Sequence, residues 1–181
     1  MLEKKLLTLA GVIGILACGA CFLPPLPEHR SPLPQLQGVR RIRVVVASSS
    51  DSQHVDPPAL AQAVAFRINL ETSGTGAKAY VGDKAEDRDG ILYIAVLKAS
   101  ATPGSAPVAN GLVLWSLDLT ISATLTASGC RAVWQEENGD YRLSRSFPPK
   151  DPAEMWNDPI FRNWLARAAG DRLVERMLHD R

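Results

Sequence analysis

The chain reads as a single α+β domain, with two helices packed on one face of a largely antiparallel sheet of four or five strands. Three features lead to this. Asp-Pro opens two stretches with helical spacing, at Asp56-Pro57 and at Asp158-Pro159. The segments between them alternate apolar and polar residues, the mark of half-buried strands. The resulting order is β-α-β-β-β-β-β-α, give or take a short strand, and its two helices need one apolar face to cover.

The elements follow in order. In Arg41-Ile42-Arg43-Val44-Val45-Val46, Ile42, Val44 and Val46 share one face and Arg41 and Arg43 the other. The Ser-rich loop ASSSDSQHVD then feeds the first helix, with Asp56 as N-cap and Pro57 in the first turn. Leu60, Val64 and Ile68 fall on one side of that helix, helped by Ala61, and it ends near Glu71, before Thr72-Ser73-Gly74-Thr75-Gly76. Ala77–Val81 is a short strand and Gly82–Gly90 a charged turn. Ile91–Leu97 is apolar on both faces, which suits a central strand.

A Gly/Pro/Ala loop is expected over residues 99–111. The long strand after it carries the clearest pattern in the chain: Val113, Trp115, Leu117, Leu119, Ile121, Ala123 and Leu125 on one face, mostly Ser, Thr and Asp on the other. Ala132–Gln135 and Tyr141–Phe147 are expected to form a hairpin around Glu137-Asn138-Gly139-Asp140, since Asn-Gly favours the tight turns that join strands. Pro148–Pro152 breaks the sheet. The last helix runs from Asp158-Pro159 to about Leu178, with Phe161, Leu165, Ala168 and Leu173 inward and Ile160 and Trp164 at the margins.

Composition narrows the function. At 46% hydrophobic and 22% charged, the chain is ordinary for a globular protein. Its net charge is +1, and without residues 1–17, which hold Lys4, Lys5 and Glu3, basic and acidic residues balance. Binding to nucleic acid usually needs a basic excess to neutralise phosphates, so no nucleic-acid partner is expected. Three cysteines and three histidines (His29, His54, His179) give no metal-ligand set and no cofactor site. Ser49, Asp51 and His54 match a catalytic triad by residue type alone. Triads are assembled from separated segments, and a short Ser-rich run reads as a turn. Asp83, Asp87 and Asp89 lack the spacing and closing Glu of a calcium loop. Gly74-x-Gly76 follows a helix and lacks the Lys of a phosphate loop. No enzyme is expected. Arg162, Arg167, Arg172 and Arg176 read as a solvated helix face with buried stems; a face for an anionic ligand is the alternative.

The N-terminus sets the compartment. Lys4 and Lys5 precede a 12-residue apolar run, Leu6–Ala17, which is secretory-signal architecture. Its end, Ile15-Leu16-Ala17-Cys18, resembles a bacterial lipobox. That resemblance implies a signal peptide over residues 1–17, cleavage before Cys18, and lipid attachment (diacylglyceryl and a further acyl chain such as palmitate) at Cys18. Several chains anchor durably where one is marginal. An ordinary cleaved signal or an uncleaved anchor is the alternative, and Cys21 is a second candidate for the modified residue. Redox chemistry at Cys18-Gly19-Ala20-Cys21 would need a folded scaffold to lower a thiol pKa, which an apolar leader does not supply. Residues 18–38 then read as a lipidated tether. Five of the chain's 13 prolines lie in Phe22–Gly38, a composition that favours an extended, semi-rigid spacer. Residues 39–181 are the folded domain.

Lipobox, tether, strand–loop–helix (IRVVVASSSDSQHVDPPALAQAVAFRI), acidic turn into a strand (DGILYIAVL), long strand (WSLDLTISATL) and closing helix together resemble the lipopolysaccharide-assembly lipoprotein family (LptE-like). The resemblance covers about residues 39–178. It implies a non-enzymatic lipoprotein of the bacterial outer membrane, lipid-anchored and facing the periplasm. It also implies a β-barrel translocon as partner and contact with lipopolysaccharide. Another periplasm-facing envelope lipoprotein, an accessory subunit of a lipid transporter or a cell-wall-synthase activator, is the alternative.

Overall fold

A computed structural model describes residue 36 and residues 39–47, 54–82, 90–107, 109–127 and 131–179. Its β-branched first strand, β1 (Arg41–Ala47), turns Ile42 and Val44 into the core and leaves Arg41 exposed. Helix α1 (Pro57–Glu71) follows, starting at the expected Asp-Pro step and ending at the expected glutamate. Leu60, Ala61, Val64 and Ile68 are its buried side chains, together with Ala65. Asp56 is extended, as an N-cap must be, but its side chain makes no capping hydrogen bond. Strands β2 (Lys78–Tyr80), β3 (Gly90–Pro107), β4 (Val113–Thr126) and β5 (Ala132–Phe147) complete a five-stranded sheet in the order β2-β1-β3-β4-β5. The short helix α2 (Pro152–Asn157) and the long helix α3 (Pro159–His179) close the chain.

The fold class is the expected α+β arrangement. β3–β4 and β4–β5 are antiparallel over long stretches, while β1 runs parallel to both β2 and β3. A helix between β1 and β2 is what allows that parallel pair, because a parallel neighbour needs a crossover. One face of the sheet is buried: Ile42, Val44, Leu92, Ile94, Val96, Trp115, Leu117, Leu119, Ile121 and Leu125 join the inward residues of α1 and α3 in one core. Leu36 and Val39, just ahead of β1, are buried in the same core. The other face is open, and Tyr93 and Leu114 stand exposed on it.

The helices meet where they can approach closely. A Cβ added at Gly170 would lie 3.3 Å from the Ala63 Cβ and 3.2 Å from the Val64 nitrogen, so the missing side chain lets α3 sit against α1. At the start of α3, Asp158 Oδ1 accepts hydrogen bonds from the backbone N–H groups of Ile160 (2.7 Å) and Phe161 (3.3 Å), the N-cap its Asp-Pro step predicts.

Three expectations are corrected. The Gly/Pro/Ala loop over residues 99–111 is mostly strand: β3 pairs with β4 from Ile91↔Thr126 out to Pro107↔Val113, with irregularities after Val96 and after Pro103. The connection left between Pro107 and Val113 is short, and in it Asn110 (φ 69°) and Gly111 (φ 73°) both have left-handed backbone, which Gly and Asn adopt most readily. Second, no hairpin forms at Glu137–Asp140. β5 runs straight through, with Glu136 opposite Ala123 and Gly139 opposite Ile121. β5 therefore advances three residues while β4 advances two, which is a β-bulge, and a glycine inside a strand often marks one. Third, the segment after Pro148–Pro152 holds an extra helical turn, α2, capped by Asp151, whose Oδ1 accepts from the Ala153 N–H at 2.9 Å. Asp83, Asp87, Asp89 and Cys130 lie outside the described residues.

Candidate interaction surface

The outer side of the helical layer carries the most exposed apolar groups of the described residues. On α1 the core takes Leu60, Val64 and Ile68, which leaves Phe66 and Leu70 on the opposite arc; they are 70% and 53% exposed. Ala59 and Ala63 are small enough to leave a groove between α1 and α3 of about 590 Å³. Polar groups edge it: Gln62, Arg67, Asn163, Arg167 and Asp171. Arg67 pairs with Glu71 one turn along α1 at 2.6 Å and lies 3.8 Å from Asp171 on α3, so carboxylates of both helices flank it at the groove edge. Arg167 makes no ion pair among the described residues and stands exposed at the rim.

The four arginines of α3 do not act as one face. Arg172 pairs with Glu175 at 3.0 Å. Arg162 is half-buried, and Arg167 edges the groove. Arg176 belongs to a different structure altogether, the bulge of β5. There its Nη1 donates to the Glu136 carboxylate, its Nη2 donates to the Asp140 carbonyl at 2.9 Å, and its guanidinium carbon lies 4.3 Å from the centroid of the Tyr141 ring. The Tyr141 hydroxyl donates to the other Glu136 oxygen. Burial, reinforced by the adjacent Glu136 carboxylate, holds the Tyr141 hydroxyl well above the ordinary tyrosine range. Gly139 makes room for this closure: a Cβ there would fall on the Glu136 carboxylate. This network clamps α3 to β5.

His54 is placed by aromatic packing. Its ring stacks on Trp156 of α2 with centroids 4.4 Å apart. Trp156 leads on to Phe161, Phe147 and Trp164, at 5.3–5.4 Å per step. Ser49 and Asp51 lie outside the described residues, as do Cys18 and Cys21. Among the described residues no group of three or more His, Cys, Asp or Glu could hold a metal ion, and no helix is long and apolar enough to cross a membrane.

Sequence reasoning passed over Phe66, Leu70 and Arg67. The helical spacing that identifies Leu60, Val64 and Ile68 as inward also puts Phe66 and Leu70 outward, and two large apolar residues on a solvent face are a signal in themselves.

No family model and no curated protein matches the chain. Several solved structures of bacterial lipoproteins are similar to it. A protein from Xanthomonas campestris described by the family model DUF330 is 18% identical, with 85% of this chain and 89% of that one covered, at a TM-score of 0.45. An uncharacterized lipoprotein B from Nitrosomonas europaea is 16% identical, with 86% and 91% covered, at 0.43. The rare lipoprotein B from Shewanella oneidensis is 15% identical, with 76% and 92% covered, at 0.39. At these identities and TM-scores no residue role passes from them to this chain.

Proposed function

We propose that this chain is a lipid-anchored, non-enzymatic protein of the bacterial envelope that supports lipopolysaccharide assembly at the outer membrane together with a β-barrel partner. The observation that carries the reading is the groove between α1 and α3. It sets Phe66, Leu70, Ala59 and Ala63 beside Arg167, which makes no ion pair among the described residues, while Arg67 at the same edge is paired with carboxylates. Acyl chains joined to phosphates need apolar and cationic groups side by side. The Ile15-Leu16-Ala17-Cys18 signal and the proline-rich spacer support the anchor, with Cys18 as the lipidated residue.

The test is purification of the full chain from bacterial envelopes with mass spectrometry of what accompanies it. A stoichiometric outer-membrane barrel that is lost in a Phe66→Ser, Leu70→Ser variant supports the reading. Crosslinking to an inner-membrane transporter or a murein-synthesis enzyme instead would favour the accessory-subunit role and overturn this one. The same spectra read the anchor: an N-terminal peptide beginning at diacylated Cys18 supports it, and one beginning at unmodified Ala20 or Phe22 removes it.

A further inference from the structure

The dipeptide Asn-Gly occurs twice in the chain, at Asn110-Gly111 and at Asn138-Gly139. It is the least hindered place for a reaction a chain performs on itself. The backbone nitrogen that follows an asparagine can attack that asparagine's side-chain amide, and glycine offers the nitrogen with no side chain in the way. Asparagine is for this reason one of the thermolabile residues. The ring that forms contains the Asn Cα, Cβ, Cγ and backbone carbonyl carbon and the Gly nitrogen. To close it, the chain must rotate about the bond between the Asn Cα and its carbonyl carbon.

The two copies differ in what that rotation breaks. Gly139 is buried and stands opposite Ile121 in the β4–β5 ladder. The Asp140 carbonyl next to it is held by Arg176, and the Glu136 carboxylate fills the place a Cβ would take. Asn138 can close its ring only after this part of β5 leaves the sheet, and opening a paired strand carries a free-energy cost that an exposed connection does not. Asn110 and Gly111 lie past the end of the β3–β4 ladder, which closes at Pro107↔Val113. Both are exposed, and a Cβ on Gly111 would meet no atom within 4 Å among the described residues. Asn110 has left-handed backbone (φ 69°, ψ 23°), where its Cβ crowds the following carbonyl, so turning out of that conformation relieves a clash.

We propose that Asn110 is a site of spontaneous modification, converted to aspartate and isoaspartate while Asn138 is preserved. The Gly111 nitrogen attacks Asn110 Cγ. A new N–Cγ bond replaces the Cγ–Nδ2 bond, and Nδ2 leaves as ammonia with the proton that the Gly111 nitrogen gives up. Water then opens the ring. Addition at Cγ breaks the new bond and restores the ordinary backbone as aspartate. Addition at the backbone carbonyl carbon breaks the original peptide bond, and the chain then runs on through Cγ as isoaspartate. Both products place a carboxylate where an amide stood and lower the net charge of the chain from +1 by one unit. Isoaspartate also adds a backbone atom to a short connection, which loosens the Pro107↔Val113 end of the ladder. The proposal goes beyond the assembly role and is independent of it.

The experiment holds the full chain, in detergent, in mildly alkaline buffer and follows tryptic peptides by mass spectrometry. The two sites separate cleanly, into Ala99–Arg131 and Ala132–Arg142. In the folded chain, Ala99–Arg131 should gain the mass difference between amide and acid and split into two isobaric forms, at least tenfold faster than Ala132–Arg142 changes. In urea both peptides should convert at similar rates, because only the fold distinguishes them. Asn110→Ser should remove the fast phase of ammonia release and Asn138→Ser should leave it. If either variant disturbs the fold, the comparison of the two peptides within wild type still decides. Equal rates in the folded chain, faster conversion at Asn138, or an Ala99–Arg131 peptide that converts in urea but not in the folded chain would each overturn the proposal.

Discussion

The guanidinium of Arg176, on the last turns of α3, lies over the face of Tyr141 in β5, 4.3 Å from ring centroid to guanidinium carbon. The two residues share a partner, because Tyr141 and Arg176 bond opposite oxygens of Glu136. One carboxylate thus fixes a strand irregularity and a helix end together. Each member would be costly to leave unpaired in this half-buried place.

Tyr141→Phe keeps the ring and the cation–π contact but removes the hydrogen bond, and should cost about 1 kcal/mol near neutral pH. The cost should fall with alkali. Burial, then Glu136, raises the folded-state pKa of Tyr141 above its unfolded value. The folded chain therefore holds the phenolic proton more tightly, and the stabilisation is full below about pH 10 and lost as pH rises past it. Urea denaturation of wild type and Tyr141→Phe should give curves that converge above about pH 10. A constant gap across that range would show that the hydroxyl is not held this way.

Gly139→Ala places a methyl where the Glu136 carboxylate sits. The carboxylate is the far end of a flexible side chain, so it should swing away rather than distort β5. The cost is then its two hydrogen bonds, about 1–3 kcal/mol. In a Glu136→Ala background the same glycine substitution should cost markedly less, and a double-mutant cycle by chemical denaturation reads the difference. Additive costs would mean that the bulge backbone, not Glu136, demands glycine.

That bulge shows where the sequence is legible and where it is not. The alternation of Val113 to Leu125 fixes which face of β4 is buried, because one missed register step would expose every apolar residue in it. The spacing of Leu60, Val64 and Ile68 does the same for α1. Asn138-Gly139 and Asn110-Gly111 are the same dipeptide, yet one is a bulge and the other the turn. The residues are identical, so the difference comes from the partner strand: β4 extends past Ile121 and pulls β5 straight, a long-range cause that no local pattern records. The loop expected at residues 99–111 failed similarly, since Ala99 and Ala101 are too small to announce a strand and are packed inward only because β4 lies beside them. At the interaction surface, Phe66 and Leu70 were readable from helical spacing. The approach of Arg67 to Asp171 was not, because it brings together residues on two different helices.

Leu117 and Leu114 test the facing of β4 directly. Leu117 is fully buried and Leu114 is exposed on the other side of the same strand. Leu117→Ala should cost about 2–5 kcal/mol, transfer and cavity together. Leu114→Ala should stay within about 0.5–1 kcal/mol. Denaturation midpoints that reverse this order would mean the register is wrong by one residue.

Asp158→Ala should destabilise the fold by about 1 kcal/mol, because the Ile160 and Phe161 N–H groups lose their cap. Asp158→Asn keeps a capping oxygen and should recover most of it. The Lys150 ammonium, helped by those N–H groups, lowers the Asp158 pKa below the ordinary carboxylate value. Its contribution is therefore present above the unfolded pKa of about 3.9 and lost as pH falls through that range. Thermal melts of the wild type and Asp158→Ala should differ at neutral pH and converge in acid.

Phe66 and Leu70 separate binding from folding. Both lie on the arc of α1 turned away from the core, so replacing them with serine removes little buried area and should leave unfolding free energy within about 0.5 kcal/mol of wild type. If a partner covers them, as proposed, the loss of one such anchor from the interface costs about 2 kcal/mol or more. The Phe66→Ser, Leu70→Ser variant should therefore melt like wild type but retain at least tenfold less of the proposed envelope partner in quantitative co-purification. A variant that unfolds would make the two residues part of the core. A variant that folds and keeps its partner at wild-type levels would move the interaction to another surface.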